Sequence, residues 1–145
     1  MDSLHITEIT RFSPELTVAV NRLLPQLSPG RSLTDGELKA VIDSDASILL
    51  FAYCGDHIAG MLTLGRYPSP TGLKLWIEDV VVDEAFRGRG IGRRLVEQAI
   101  SLAEAAGNAT LMLTSNPTRV AANGLYRAIG FEQKVTNVYR MKLPR

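Results

Sequence analysis

Stretches in which apolar positions recur every second residue take turns with stretches of helical period, and Gly, Pro and capping residues mark the joins. Leu4 to Ile9 predicts a first strand. Ser13-Pro14 reads as an N-cap followed by the preferred first helical residue. It opens a helix from Pro14 to about Leu24 whose apolar face uses Leu16, Val20, Leu23 and Leu24. Pro25 to Arg31 carries Pro25, Pro29 and Gly30 and predicts an irregular connection. Thr34-Asp35-Gly36-Glu37 is a capping box, so a second helix should run from Asp35 to about Ser44. Ser47 to Tyr53 and His57 to about Leu64 read as strands joined by a tight hairpin turn at Gly55-Asp56. Tyr67 to Gly72 predicts a loop, and Leu73 to Val82 a long strand.

After a glycine-rich loop, Leu95, Ala99, Leu102 and Ala106 recur at helical spacing and end at Gly107, a suitable helix C-terminus. Thr110 to Thr114 follows as a strand. Strand, helix and strand in that order favour parallel pairing through a right-handed crossover. Asn116-Pro117 predicts a further helix to about Ala128 with Gly130 beyond its end. Val120, Gly124, Leu125 and Ala128 would form its apolar stripe, with Arg119, Ala122 and Tyr126 on a different face. Phe131 to Leu143 predicts two last strands. The expected fold is therefore mixed α/β: a mostly antiparallel central sheet with a parallel central strand pair, flanked by about four helices, in one domain covering residues 1–145.

The chemistry concentrates between Trp76 and Leu95, where an apolar, β-branched run passes through the acidic turn Asp83-Glu84 into Arg87-Gly88-Arg89-Gly90-Ile91-Gly92-Arg93-Arg94. Glycine at alternate positions lets backbone N–H groups approach a ligand closely. The start of a helix leaves such donors unpaired at the positive end of its dipole. The arginines add charge. Taken alone, the loop fits either a cradle for a pyrophosphate or a glycine-rich turn with solvated arginines. Two known phosphate loops are excluded: no Gly-Lys precedes Ser or Thr, and Arg93 stands where a dinucleotide fingerprint starting at Gly88 needs its third glycine.

Arg87-x-x-Gly90-x-Gly92 after a Val-rich strand resembles the acyl-CoA loop of the GNAT superfamily of N-acetyltransferases. The segment from Thr114 to Phe131 is similar to that family's second motif, through Ala122, Tyr126, Gly130 and Phe131. The resemblance implies acetyl-CoA as co-substrate. The binding residues would be Val80, Val81 and Val82, whose backbone would bond the pantetheine arm as an added strand does, with Arg87, Gly88, Arg89, Gly90, Ile91, Gly92 and Arg93 around the diphosphate. Arg119 joins them, although the commoner family form has Asn there. The implied reaction is attack of a neutral primary amine on the acetyl thioester. A primary amine of pKa ~10 is mostly protonated at neutral pH, so a group must accept a proton before attack. Glu78, two residues before Val80 and so expected on the same strand face with Asp79 opposite, is the candidate base. Its alternative is a structural ion pair. Tyr126 matches the family tyrosine expected to protonate the departing thiolate. The resemblance also makes Ser28 to Leu33 a candidate wall for the acceptor, which would be a small-molecule or peptide amine, and leaves room for a homodimer contact in the last strands.

With 16 basic and 15 acidic residues the chain is nearly neutral, and nothing in it favours a nucleic acid or an anionic membrane as partner. No apolar run approaches membrane length. A single cysteine, Cys54, excludes an internal disulfide and reads as a buried filler. His5 and His57 make no metal cluster. Reducing cytoplasm is the default compartment. Two other functions compete with an acetyltransferase: a CoA-binding sensor without turnover, and a nucleotide-binding oxidoreductase, which the incomplete fingerprint disfavours.

Overall fold

In the computed structural model, which describes residues 3–144, β1 (Leu4–Ile9), β2 (Ser47–Cys54), β3 (His57–Ser69), β4 (Gly72–Val82) and β5 (Ala109–Met112) form one sheet in sequence order. Pairing is antiparallel from β1 through β4, and β5 runs parallel to β4. The helix α3 (Ile91–Ala105) makes the crossover between that parallel pair. The mixed α/β fold with one parallel strand pair is as expected, but among the described residues that pair lies at the edge of the sheet and not at its centre. Contacts divide the chain at Thr114 into two units, and each is taken by itself.

In the first unit the pleat sends alternate residues to opposite faces. One face packs Leu49 and Phe51 of β2, Met61 of β3 and Val81 of β4 against Val20, Leu23 and Leu24 of α1 (Pro14–Leu27) and Leu38 of α2 (Asp35–Asp43). The opposite face carries Gly60, where an added Cβ would meet Leu95 and Ile91 of α3. The capping box forms as read: Thr34 Oγ1 accepts from the Glu37 N–H at 3.1 Å, and Glu37 Oε1 accepts from the Thr34 N–H at 3.0 Å.

The strand β5 ends at Met112 and not at Thr114, and two other boundaries differ further from expectation. The first helix does not stop at Pro25 but continues to Leu27. An interior proline costs about 3 kcal/mol, yet burying Val20, Leu23 and Leu24 contributes about 1.5–3 kcal/mol each, so packing decides. Likewise the expected loop from Tyr67 to Gly72 shrinks to a turn, because β3 and β4 stay paired out to Ser69 and Gly72. Pro68 lacks an N–H and is tolerated because β2 pairs β3 only as far as Gly65, leaving the edge beyond it free. Lys74 Nζ donates to Ser69 Oγ at 2.9 Å and to Thr71 Oγ1 at 2.6 Å, and Trp76 Nε1 donates to Tyr67 OH at 3.3 Å, holding the hairpin tip.

The second unit, from Ser115 onward, contains α4 (Val120–Ile129). Asn116 does not cap that helix. Its Oδ1 accepts from the Thr118 N–H at 2.9 Å and from Thr118 Oγ1 at 2.8 Å, closing a local turn, and the helix begins three residues later than expected. The buried stripe is also displaced. Val120 is 75% exposed and Tyr126 only 7%, because Tyr126 offers far more apolar area than the Gly124 and Ala128 of the expected stripe. Beyond Gly130, which ends the helix at φ 125°, no strand forms among the described residues, although two were expected. A strand needs a neighbour for its backbone groups, and this segment finds none; Val135, Val138, Tyr139 and Met141 are exposed.

Candidate active site

The strand β4 carries the first part of the site. Its pairing with β5 ends at Trp76–Met112, while the strand itself continues to Val82. From Ile77 on, one edge therefore has no strand beside it among the described residues. The Asp83 N–H donates to Ala59 O at 2.8 Å, toward β3, so by alternation the backbone groups of Val82 and Val80 point to the open edge. One of them is occupied: Arg87 Nε donates to Val82 O at 3.2 Å.

Within this strand the simple period of two fails. Thr63 pairs with Glu78 and Met61 with Val81, so Leu62 alone faces Asp79 and Val80. This is a bulge, with Asp79 at φ 51° in the left-handed region that Asp tolerates better than most residues. The extra residue rotates the face: Glu78 shares its side of the sheet with Val81 and Met61, toward the α1 and α2 core, not with Val80 as expected. Partial burial, and then the neighbouring Asp79 charge, raise the Glu78 pKa above the usual carboxylate value. A carboxyl that holds its proton more tightly is a stronger base once ionised.

The second part is the loop. Asp83 caps a 3-10 turn at Glu84–Phe86, its Oδ1 accepting from the Ala85 N–H at 3.1 Å. Gly88 and Gly90 then take φ 81° and 76°, values that glycine alone adopts without strain. The first helical bond of α3 runs from the Arg94 N–H to Gly90 O at 3.1 Å. Between Gly88 and Arg93 no backbone N–H has an acceptor among the described residues. A row of unpaired donors at a helix N-terminus has the geometry to receive an anion. Of the loop's arginines, Arg89 lies over the Phe86 ring at 5.1 Å and Arg93 reaches Glu97 at 3.6 Å. Gly92 belongs to the helix itself. No group of three or more His, Cys, Asp or Glu able to hold a metal occurs among the described residues.

In the second unit Arg119 is the residue preceding α4, and Tyr126 sits within that helix with its ring edge-on to Phe131 at 6.1 Å. Burial raises the Tyr126 pKa, against a smaller lowering by the Arg119 charge. Its hydroxyl thus stays protonated at neutral pH.

Sequence reasoning missed Arg22, Gln26 and Asp83, which tie α1 to the start of the loop. Asp83 was legible as a capping residue. Nothing near Arg22 or Gln26 signalled their long-range partners.

An open strand edge thus lies next to a row of helix-terminal amides. Residues 17–131 match the family described as "Acetyltransferase (GNAT) family", and the chain belongs to it. Among curated relatives, it is 30% identical over 122 residues to glucosamine 6-phosphate N-acetyltransferase 1 of Oryza sativa subsp. japonica, covering 77% of this chain and 72% of that one. It is 36% identical over 75 residues to N-alpha-acetyltransferase RimI of Mycobacterium tuberculosis, covering 52% of this chain and 44% of that protein. A third relative, from Mycobacterium leprae, is matched over only 19% of its length. Among solved structures, a putative acetyltransferase from Agrobacterium tumefaciens superposes with a TM-score of 0.82 at 26% identity, covering 97% of this chain and 99% of the other.

Proposed function

We propose that this protein transfers the acetyl group of acetyl-CoA to a primary amine by direct attack on the thioester. The observation that carries the proposal is the row of unpartnered amides from Gly88 to Arg93 beside the open edge of β4. The diphosphate rests on those amides, with Arg87, Arg89 and Arg93 around it, and the pantetheine arm bonds the backbone groups of Val80 and the N–H of Val82, whose carbonyl Arg87 holds. Glu78 takes a proton from the ammonium so that the nitrogen lone pair is free to attack. As the nitrogen–carbon bond forms and the carbon–sulfur bond breaks, the Tyr126 hydroxyl donates a hydrogen bond to the sulfur; the second proton lost by the nitrogen goes to the departing thiolate, which leaves as the thiol of CoA, and the first passes from Glu78 to solvent. Because Tyr126 is a weak acid, stabilising the developing thiolate is its larger contribution. Arg119 contributes positive charge toward the cofactor.

The family match, residues 17–131, begins in the first unit and ends within the second, and we take residues 1–145 as one catalytic domain. The acceptor is a small amine or an amino-acid-like amine. The names of the relatives, one for glucosamine 6-phosphate and one for N-alpha acetylation, define the amine panel to test. The compartment proposed is reducing cytoplasm. Calorimetry with CoA and acetyl-CoA, followed by thiol release against that panel, tests the proposal. Binding with acetylation of at least one amine is expected; absence of CoA binding at millimolar concentration by folded protein refutes it.

A further inference from the structure

The turn that launches the donor loop is held by a helix that carries no cofactor residue. Gln26 Oε1 accepts from the Glu84 N–H at 2.9 Å, and Gln26 Nε2 lies 3.5 Å from Asp83 Oδ1. One turn earlier in α1, Arg22 Nε stands 3.5 Å from Asp83 Oδ2, while its Nη2 donates to Ile58 O at 2.6 Å. Asp83 is buried, 8% exposed, which strengthens the case for fixed geometry. The chain then closes on itself: the Phe86 N–H donates to Asp83 O at 2.8 Å and the Arg87 N–H to Glu84 O at 3.5 Å. Gly88, the first residue of the donor row, follows directly. A shift at Asp83-Glu84 therefore passes to the amides within four residues, and there is no slack segment to absorb it.

We propose that Gln26 and Arg22 are positioning residues for the diphosphate loop. They touch no substrate; they fix the base from which Gly88 to Arg93 present their N–H groups. This rests on reading the loop as the seat of CoA. Donors that are already aligned bind an anion without first paying to be ordered, so loosening their base weakens binding although every donor is still present.

Gln26→Met keeps the length of the side chain and removes both hydrogen bonds to the turn, along with that from Nε2 to Arg22 O. It should weaken CoA binding in calorimetry by roughly 5- to 50-fold and speed hydrogen exchange at the Phe86 and Arg87 amides. With acetyl-CoA as the varied substrate, KM should rise while kcat stays within about twofold. Gln26→Glu retains an oxygen for the Glu84 N–H but sets a second carboxylate against the buried Asp83 in place of the Nε2 donor. It should therefore weaken CoA binding at least as much as Gln26→Met does. Thr34→Ala breaks the capping box of α2 and supplies a control, lowering the melting temperature without changing CoA affinity. If the unmodified protein binds CoA and Gln26→Met binds it within twofold as tightly, the positioning role is wrong, even where exchange at Phe86 quickens. If the unmodified protein binds no CoA, the reading of the loop fails first and this inference with it.

Discussion

Replacing Gly60 by alanine places one methyl group where the sheet, the helix and the donor loop meet. The new Cβ would lie 3.0 Å from Val81 O, 3.3 Å from Leu95 Cδ1 and 3.4 Å from Ile91 Cγ2. The nearest of these is backbone and cannot rotate aside. The other two belong to buried residues in the first turn and a half of α3. Relief requires either that β3 move from β4 or that the N-terminus of α3 lift off the sheet. Overpacking of this kind costs about 1–3 kcal/mol, and a carbonyl that cannot yield argues for about 2. For a chain of this length each kcal/mol lowers the melting temperature by about 2–4 °C, so a fall of about 4–8 °C is expected. Circular dichroism melts read the shift, and a urea titration with unchanged slope shows that it is a loss of stability. Since Ile91 opens the helix directly after Gly90, CoA affinity should fall as well. Gly90→Ala separates sterics from conformation: nothing lies within 4 Å of its added Cβ, and its φ of 76° alone imposes the cost, about 1–2 kcal/mol. A Gly60→Ala protein that melts within 1 °C of the original would refute the packing argument.

Glu78→Gln should lower kcat/KM by roughly 10²- to 10⁴-fold and remove the acidic limb of the pH–rate profile. That limb should lie above the ordinary carboxylate value because burial and then Asp79 raise the Glu78 pKa; Asp79→Asn, which removes the second cause, should move it to lower pH. Tyr126→Phe should lower kcat by at least about tenfold while leaving acetyl-CoA affinity nearly intact; unchanged turnover would remove Tyr126 from the mechanism. Its raised pKa means that the folded chain holds the phenolic proton more tightly than the unfolded one. That contribution is present below about pH 10 and is lost as pH rises through the folded value, so alkaline melts of Tyr126→Phe should lack this loss. Asp79→Val should destabilise by about 1–3 kcal/mol in denaturant titration, since a β-branched residue is strained at φ 51°.

Sheet order and helix positions were legible because burial of an alternating or helical stripe dominates the energetics, and the Thr34 box and the glycine loop were legible because their chemistry is local. What could not be read depends on partners distant in the chain. Pro25 sits inside a helix because Leu23 and Leu24 have a core to enter, and no local rule contains that core. The bulge at Asp79 is set by the register of β3 against β4, so a strict alternation put Glu78 on the wrong face. In α4 the apolar letters at Val120, Gly124 and Ala128 suggested a stripe that carries too little area to compete with Tyr126. The last segment failed differently: partial alternation is compatible with a strand but does not supply its neighbour.

The bare stretch of β4 past Trp76 is a hazard as well as a resource, because a sheet margin with free donors and acceptors invites a foreign chain to stack against it. Here the invitation is narrow. The kink at Asp79 throws any long guest out of step, and the Arg87 guanidinium already claims the Val82 carbonyl. What is left, between that kink and the claimed carbonyl, is too short a continuous rail for another polypeptide to pair along.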